Sequence, residues 1–330
     1  MAQLIKLQDY ASRYGNDLYR YPSQFVRLKK QQWENLKGQW ENGDTLSEEP
    51  INENKEMKAS MPAFVGKLKG ILKRGFSAED EVNNPPSILQ DKTDGMDFTI
   101  TINSVPATLD ELKMVFLDQL YPFQLKWASS TLMEKSFVDQ SYIQDERLRY
   151  LLQRFPDNML VLYFPVFYIK KAPVEMEQIL ITPTDVWCLT FLEEEDQTVY
   201  LGSQKRFWYK KWGEKEGKVL NPMLSLRRME NIISQIFRHR NIEIPLKKAI
   251  ISRNGFIDFP LVPHDLQLLD KRRYDEWFGQ MRRQSSPIKN VQLKAAQSLL
   301  EYCQTTSFKR FLWEDQMDIE FKSDKEFKEK

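Results

Sequence analysis

Apolar positions along this chain follow two periods, with the change near residue 156. Before it the spacing is helical. Within 23–40, Phe25, Leu28, Trp33, Leu36 and Trp40 recur at a helical period after Pro22. Thr108-Leu109-Asp110-Glu111 forms a capping box that opens LKMVFLDQL, and more helix is predicted through 122–138. The stretch 139–155 puts Ile143, Leu148, Leu151 and Leu152 on one side of a further helix, which Pro156-Asp157-Asn158 ends. FTITIN (98–103) is the exception, alternating like a strand.

From residue 159 the period shortens. MLVLYFPVFYI (159–169) reads as a strand that Pro165 makes an edge or a bulge. QILITPTDVWCLTFL (178–192) reads as two strands joined at Thr182-Pro183-Thr184-Asp185, and TVYL and RFWYKKW continue the β pattern. Asn221-Pro222 then caps an amphipathic helix that carries Met223, Leu226, Met229, Ile233 and Phe237 on one face. A strand near 248–252 and two helices, 266–281 and 291–303, complete the pattern.

The stretches between these elements are polar. Residues 43–97 hold a carboxylate-rich run without periodicity, read as a linker, and a basic amphipathic stretch at 61–76 with Lys67, Lys69, Lys73 and Arg74. Gly66, Gly70 and Gly75 weaken that helix, which favours a docking segment or mobile surface. The expected division is a helical segment 1–42, the linker and basic segment 43–97, lead-in elements 98–138, an α/β module 139–262, C-terminal helices 263–322 and a charged tail 323–330. The fold class is therefore α/β: a mixed central sheet flanked by helices, with a mostly helical N-terminal region.

Charge narrows little. Lys and Arg (48) nearly cancel Asp and Glu (47), so only local clustering can point to a partner. Cys188 and Cys303 lie far apart and the two histidines are His239 and His264, too sparse a set for a zinc site. Two reduced thiols and no run near ~20 apolar residues predict a cytoplasmic protein without a membrane span. There is no G-x-x-x-x-G-K-[ST], G-x-G-x-x-G or G-x-S-x-G motif.

One constellation does carry chemistry. Glu146 lies on helix 139–155, Glu177 leads into Gln178-Ile179-Leu180-Ile181-Thr182-Pro183, strand 186–192 follows, and Trp212 and Asn221-Pro222 come downstream. This order resembles the nuclease-related domain (NERD) family of the restriction-endonuclease-like superfamily, over roughly 120 residues. The resemblance implies a helix Glu matched by Glu146 and an Asp matched by Glu177. It also implies a Glu-x-Lys pair, whose places hold Thr190 and Leu192, and a Gly whose place holds Asp185. Ser225 replaces a residue near the family's usual Gln. In such nucleases carboxylates hold Mg²⁺ and the Lys orients or deprotonates water. Thr190 is a poor ligand and Leu192 moves no proton, so the resemblance implies an emptied site, with no cofactor. The alternative is a weak nuclease in which Glu146 and Glu177 share Mg²⁺ or Mn²⁺. Glu193-Glu194-Glu195 is read as a solvated loop at the strand end.

The remaining signal is basic and aromatic. Lys205, Arg206, Lys210 and Lys211 interleave with Phe207, Trp208, Tyr209 and Trp212, a mix suited to phosphates and unpaired bases, or equally to a twisted strand with its rings in the core. Arg227 and Arg228 add positive charge. The expected function is an inactive nuclease-like module that binds DNA, RNA or a protein partner, with a purely structural scaffold contacting others through Trp33 and Trp40 as a further alternative.

Overall fold

A computed structural model of the chain describes residues 1–42, 98, 100, 106–131 and 138–306. The linker, the basic segment 61–76 and the tail 323–330 lie outside the described residues, as does most of the strand expected at 98–103.

The chain opens with β1 (Gln3–Leu7), a 3-10 turn at Arg13–Gly15 and α1 (Tyr21–Asn42). β1 adds a strand to the mostly helical N-terminal region: QLIKL is too short to announce itself, yet all five residues are buried. After α2 (Leu109–Ala128) come α3 (Gln140–Gln144) and α4 (Glu146–Arg154). The capping box of α2 forms as expected, with the Glu111 amide donating to Thr108 Oγ1 at 3.2 Å. The single helix expected over 139–155 is instead two, because Asp145 leaves helical geometry to cap α4, accepting from the Leu148 amide at 2.9 Å.

Next are β2 (Leu160–Tyr163), β3 (Val166–Ile169), β4 (Ala172–Glu175), β5 (Gln178–Ile181) and β6 (Val186–Phe191). The apolar run 159–169 splits between two sheets, since Phe164 takes a left-handed φ of 47° before Pro165. β7 (Val199–Leu201), β8 (Phe207–Trp212), β9 (Lys215–Leu220) and α5 (Met223–His239) follow, then β10 (Leu246–Ser252), β11 (Phe256–Asp258), β12 (Leu266–Asp270), α6 (Tyr274–Arg282) and α7 (Asn290–Leu300). The helix expected at 266–281 is thus a strand followed by a shorter helix. Leu266 and Leu269 sit at helical spacing, but the parallel edge of β10 captures the segment.

The fold is α/β. A six-stranded mixed sheet, β1-β2-β5-β6-β10-β12, runs through the core with helices packed on it, α2 against β1, α5 against β6 and β10, and α7 against β5. Its first and last strands, β1 and β12, come from outside residues 139–262, so the sheet draws on both ends of the described chain. A second sheet, β11-β7-β8-β9, stands beside it, and β3-β4 form a separate ribbon. Among the described residues no helix is long and apolar enough to cross a membrane.

Candidate functional site

Two places gather the residues singled out in the sequence. The first is the end of the β5–β6 hairpin. Its turn is held by the Thr182 hydroxyl, which accepts from the Asp185 amide at 2.9 Å and the Thr184 amide at 3.2 Å. Antiparallel pairing of Gln178 with Leu189 sets Glu177 opposite Thr190 one step further on. The N-terminal turn of α5 brings Ser225 there, its hydroxyl 3.3 Å from that of Thr190. Burial raises the Glu177 pKa, more than the Ser225 hydroxyl and the charges of Arg228 and Arg147 pull it down. The hairpin and α5 thus join Glu177, Thr190, Ser225 and Arg228, while Leu192 is buried beyond the strand end.

Glu146 is exposed at the start of α4, on a cavity of about 570 Å³ that Asp145, Arg147, Glu193, Glu194 and Arg253 also line and Glu177 does not. Here the expectation of a solvated acidic loop holds for Glu194 and Glu195, which are exposed, and is corrected at Glu193. Glu193 is only 9% exposed and is gripped by Arg253, with Arg147 3.5 Å away on its other side. The Arg253 Nη2 contact is 2.8 Å, and the guanidinium also lies over the Tyr150 ring at 4.3 Å. Glu194 pairs with Lys210 of β8. Glu193 was read as solvent-facing because its arginine partners lie far away in sequence.

Among the described residues no three His, Cys, Asp or Glu side chains are placed to hold a divalent ion. An ion at Glu177 would also meet the guanidinium charges of Arg147 and Arg228.

The second place is the β8–β9 hairpin. Asn221 positions it: its side-chain amide donates to the Lys205 carbonyl at 2.7 Å and the Ser203 carbonyl at 3.2 Å, while its Oδ1 accepts from the Met223 amide at 3.0 Å. One buried residue therefore caps α5 and fixes the loop that carries Lys205 and Arg206. Along β8 the side chains alternate. Trp208 is fully buried, with Nε1 donating to the Ser203 carbonyl at 2.9 Å and the ring 5.2 Å from that of Phe259. It cannot stack on a base, which corrects its place among the binding candidates. Lys210 and Trp212 share that inward phase, with Lys210 paired to Glu194 and lying 4.6 Å from the Trp212 ring.

The opposite phase faces out. Phe207 and Tyr209 are 46% and 47% exposed. Arg206 lies over Phe207 at 5.8 Å and Lys218, across the hairpin, over Tyr209 at 5.5 Å. Register places Leu220 beside Phe207, Lys218 beside Tyr209, and Glu216 beside Lys211, the last two bridged at 2.6 Å. Lys205, Arg227 and Arg228 are exposed nearby in sequence, on the loop before β8 and on α5. The outward set, Phe207, Tyr209 and Lys218, differs from the sequence selection because alternation alone does not say which phase is buried.

The chain resembles an RNA enzyme over part of its length. It is 39% identical over 128 residues to an RNA 2',3'-cyclic phosphodiesterase of Geobacillus stearothermophilus. That stretch is 38% of this chain and 36% of the relative, so the chain spans little more than a third of the relative it matches. No family model and no solved structure matches.

Proposed function

We propose that this chain is a nucleic-acid-binding protein of nuclease-like build that holds single-stranded RNA on the open face of the β8–β9 hairpin. The observation that carries the reading is the pair Phe207 and Tyr209, two half-exposed rings on one strand face, each with a cation over it. Exposed rings on a strand are platforms for unpaired bases, worth about 1–3 kcal/mol per base. Lys205, Arg206 and Lys218 would meet the phosphates, and Lys211 would join them by exchanging its exposed, weakly held partner Glu216. The name of the partial relative favours RNA over DNA.

Metal-assisted cutting is not part of this reading. Thr190 and Leu192 occupy the places that the nuclease-related resemblance gives to Glu and Lys, and Arg147 and Arg253 fill the space around Glu193 with positive charge. A second reading comes from the relative's name: hydrolysis of a terminal 2',3'-cyclic phosphate. That reaction needs a positioned acid and base. The two histidines are both exposed, His239 ending α5 and His264 preceding β12.

One experiment separates the readings. Anisotropy of a labelled single-stranded RNA with a 2',3'-cyclic end is followed across a salt series, and each sample is run on a denaturing gel. Expected are salt-sensitive binding, intact RNA, and at least ~30-fold weaker binding by the Phe207→Ala/Tyr209→Ala variant. Equal binding by that variant sinks the platform. Conversion of the cyclic end to a monophosphate by wild type would establish the phosphodiesterase reading instead.

A further inference from the structure

Away from both places, α1 and α2 leave a depression of about 280 Å³ between them. Its floor is apolar: Trp33, Phe116 and Leu117, with Met1 beside them. The Trp33 and Phe116 rings meet edge to face at 5.4 Å. Three lysines rim it, Lys29 and Lys30 from α1 and Lys113 from α2, and among the described residues no carboxylate is in the lining. The pattern is unlike the β8–β9 face, where the rings stand out from the surface.

The rim is positive on balance. Lys29 bonds Asp157 at 2.6 Å, and Lys113 bonds Asp110 at 2.9 Å in a pair so exposed that it contributes little. Lys30 makes no ion pair among the described residues, yet its charge reaches Asp157. Burial pushes the Asp157 carboxyl up, but the Lys29 contact and the charges of the Met1 amino terminus and Lys30 outweigh it and hold the group below its ordinary value. One carboxylate thus lies near three amino groups.

We infer that this depression is a binding site for an amphipathic carboxylate, a short alkyl chain lying on Trp33, Phe116 and Leu117 with its carboxylate between Lys30 and Lys113. An apolar floor alone would take any alkyl group, and lysines alone any anion; their combination selects a molecule that is both. The volume lies at the lower edge of the ~300–1,000 Å³ usual for small-ligand sites, which suits a short chain. Each methylene moved from water to the floor adds about 0.8 kcal/mol, so chain length tunes affinity until the depression is full.

The test is calorimetric titration of the full chain with three eight-carbon probes of similar apolar bulk: octanoate, octanol and octylammonium. Octanoate is expected to bind one to one, at least tenfold tighter than octanol, with no heat from the ammonium. Lys30→Glu/Lys113→Glu should weaken octanoate at least tenfold and leave octanol unchanged. Leu117→Trp, which fills the floor, should abolish both, and circular dichroism checks that each variant is folded. Equal affinity for the three probes overturns the assignment, as does octanoate binding that ignores the charge reversal or survives Leu117→Trp. So does lysine-dependent sedimentation with anionic phospholipid vesicles in the absence of octanoate binding, which would make the rim a membrane contact. The Phe207→Ala/Tyr209→Ala variant should bind octanoate normally, so this site and the RNA face stand or fall separately.

Discussion

The two larger sheets handle their side chains in opposite ways. In the six-stranded sheet β1, β2, β5 and β6 are buried at every position, even at Lys6 and Thr190. In the four-stranded sheet β8 alternates, with Phe207 and Tyr209 out and Trp208 in. Helices packed on a sheet require continuous burial, whereas an antiparallel sheet can keep one face to water. Charge follows the same division. The 4%-exposed Lys248 side chain of the central sheet is held by Asp265 and, at 2.6 Å, by Glu230, and Glu193 at its edge is held by Arg253. Polar groups satisfied in this way explain themselves as architecture. Half-exposed rings two residues apart are not satisfied by the fold, and that contrast is what supports the proposed RNA face on the open sheet.

The contrast breaks most sharply on neighbouring residues of one strand. Trp208→Ala should cost about 3–5 kcal/mol, the usual loss for a large buried ring. Phe207→Ala should stay within about 0.5 kcal/mol. Urea unfolding of the two variants measures both. A Phe207→Ala cost equal to that of Trp208→Ala would mean that the outer face is packed rather than open.

A smaller effect sharpens the electrostatic half of the comparison. Lys218 makes no ion pair among the described residues and lies over Tyr209, while Lys210 pairs with Glu194. On a single strand each phosphate contact contributes about 0.7 to the slope of log K against log salt. Lys218→Gln should therefore lower that slope by about 0.7, and Lys210→Gln should leave it unchanged. A slope that falls only for Lys210→Gln would move the RNA path to the inward side of β8.

Much of the fold was legible because its local signals and its packing agree. The capping box at Thr108, the hairpin turn at Thr182 and the Asn221-Pro222 cap each mark an element that forms. What was not legible depends on distant partners. β1 and β12 are five-residue runs, strands only because β2 and β10 offer them parallel edges. The phase of β8 is set by Phe259, half a hundred residues downstream, against which Trp208 packs. Glu193 looked solvated because Arg147 and Arg253 are remote along the chain. Period can be read from one strand; phase and pairing need the rest of the molecule.

The smallest predicted effect tests whether the hairpin end is architecture too. Burial raises the Glu177 pKa, so the folded protein keeps that proton at pH values where the unfolded chain has lost it. Stability then falls as pH rises from the ordinary carboxylate value through the raised one, and above that window the ionised side chain persists at a cost. Glu177→Gln removes the titration while keeping the shape. Its melting temperature should exceed that of wild type at pH 8, and the difference should vanish below about pH 4, where both side chains are neutral. Scanning calorimetry across that range reads the sign directly. If wild type is instead the more stable at pH 8, Arg228 and Arg147 hold Glu177 as an anion more strongly than burial opposes it. The cluster of Glu177, Thr190 and Ser225 would then be a satisfied ion pair like that of Glu193, and the division between the closed sheet and the open one would hold at every charged group compared.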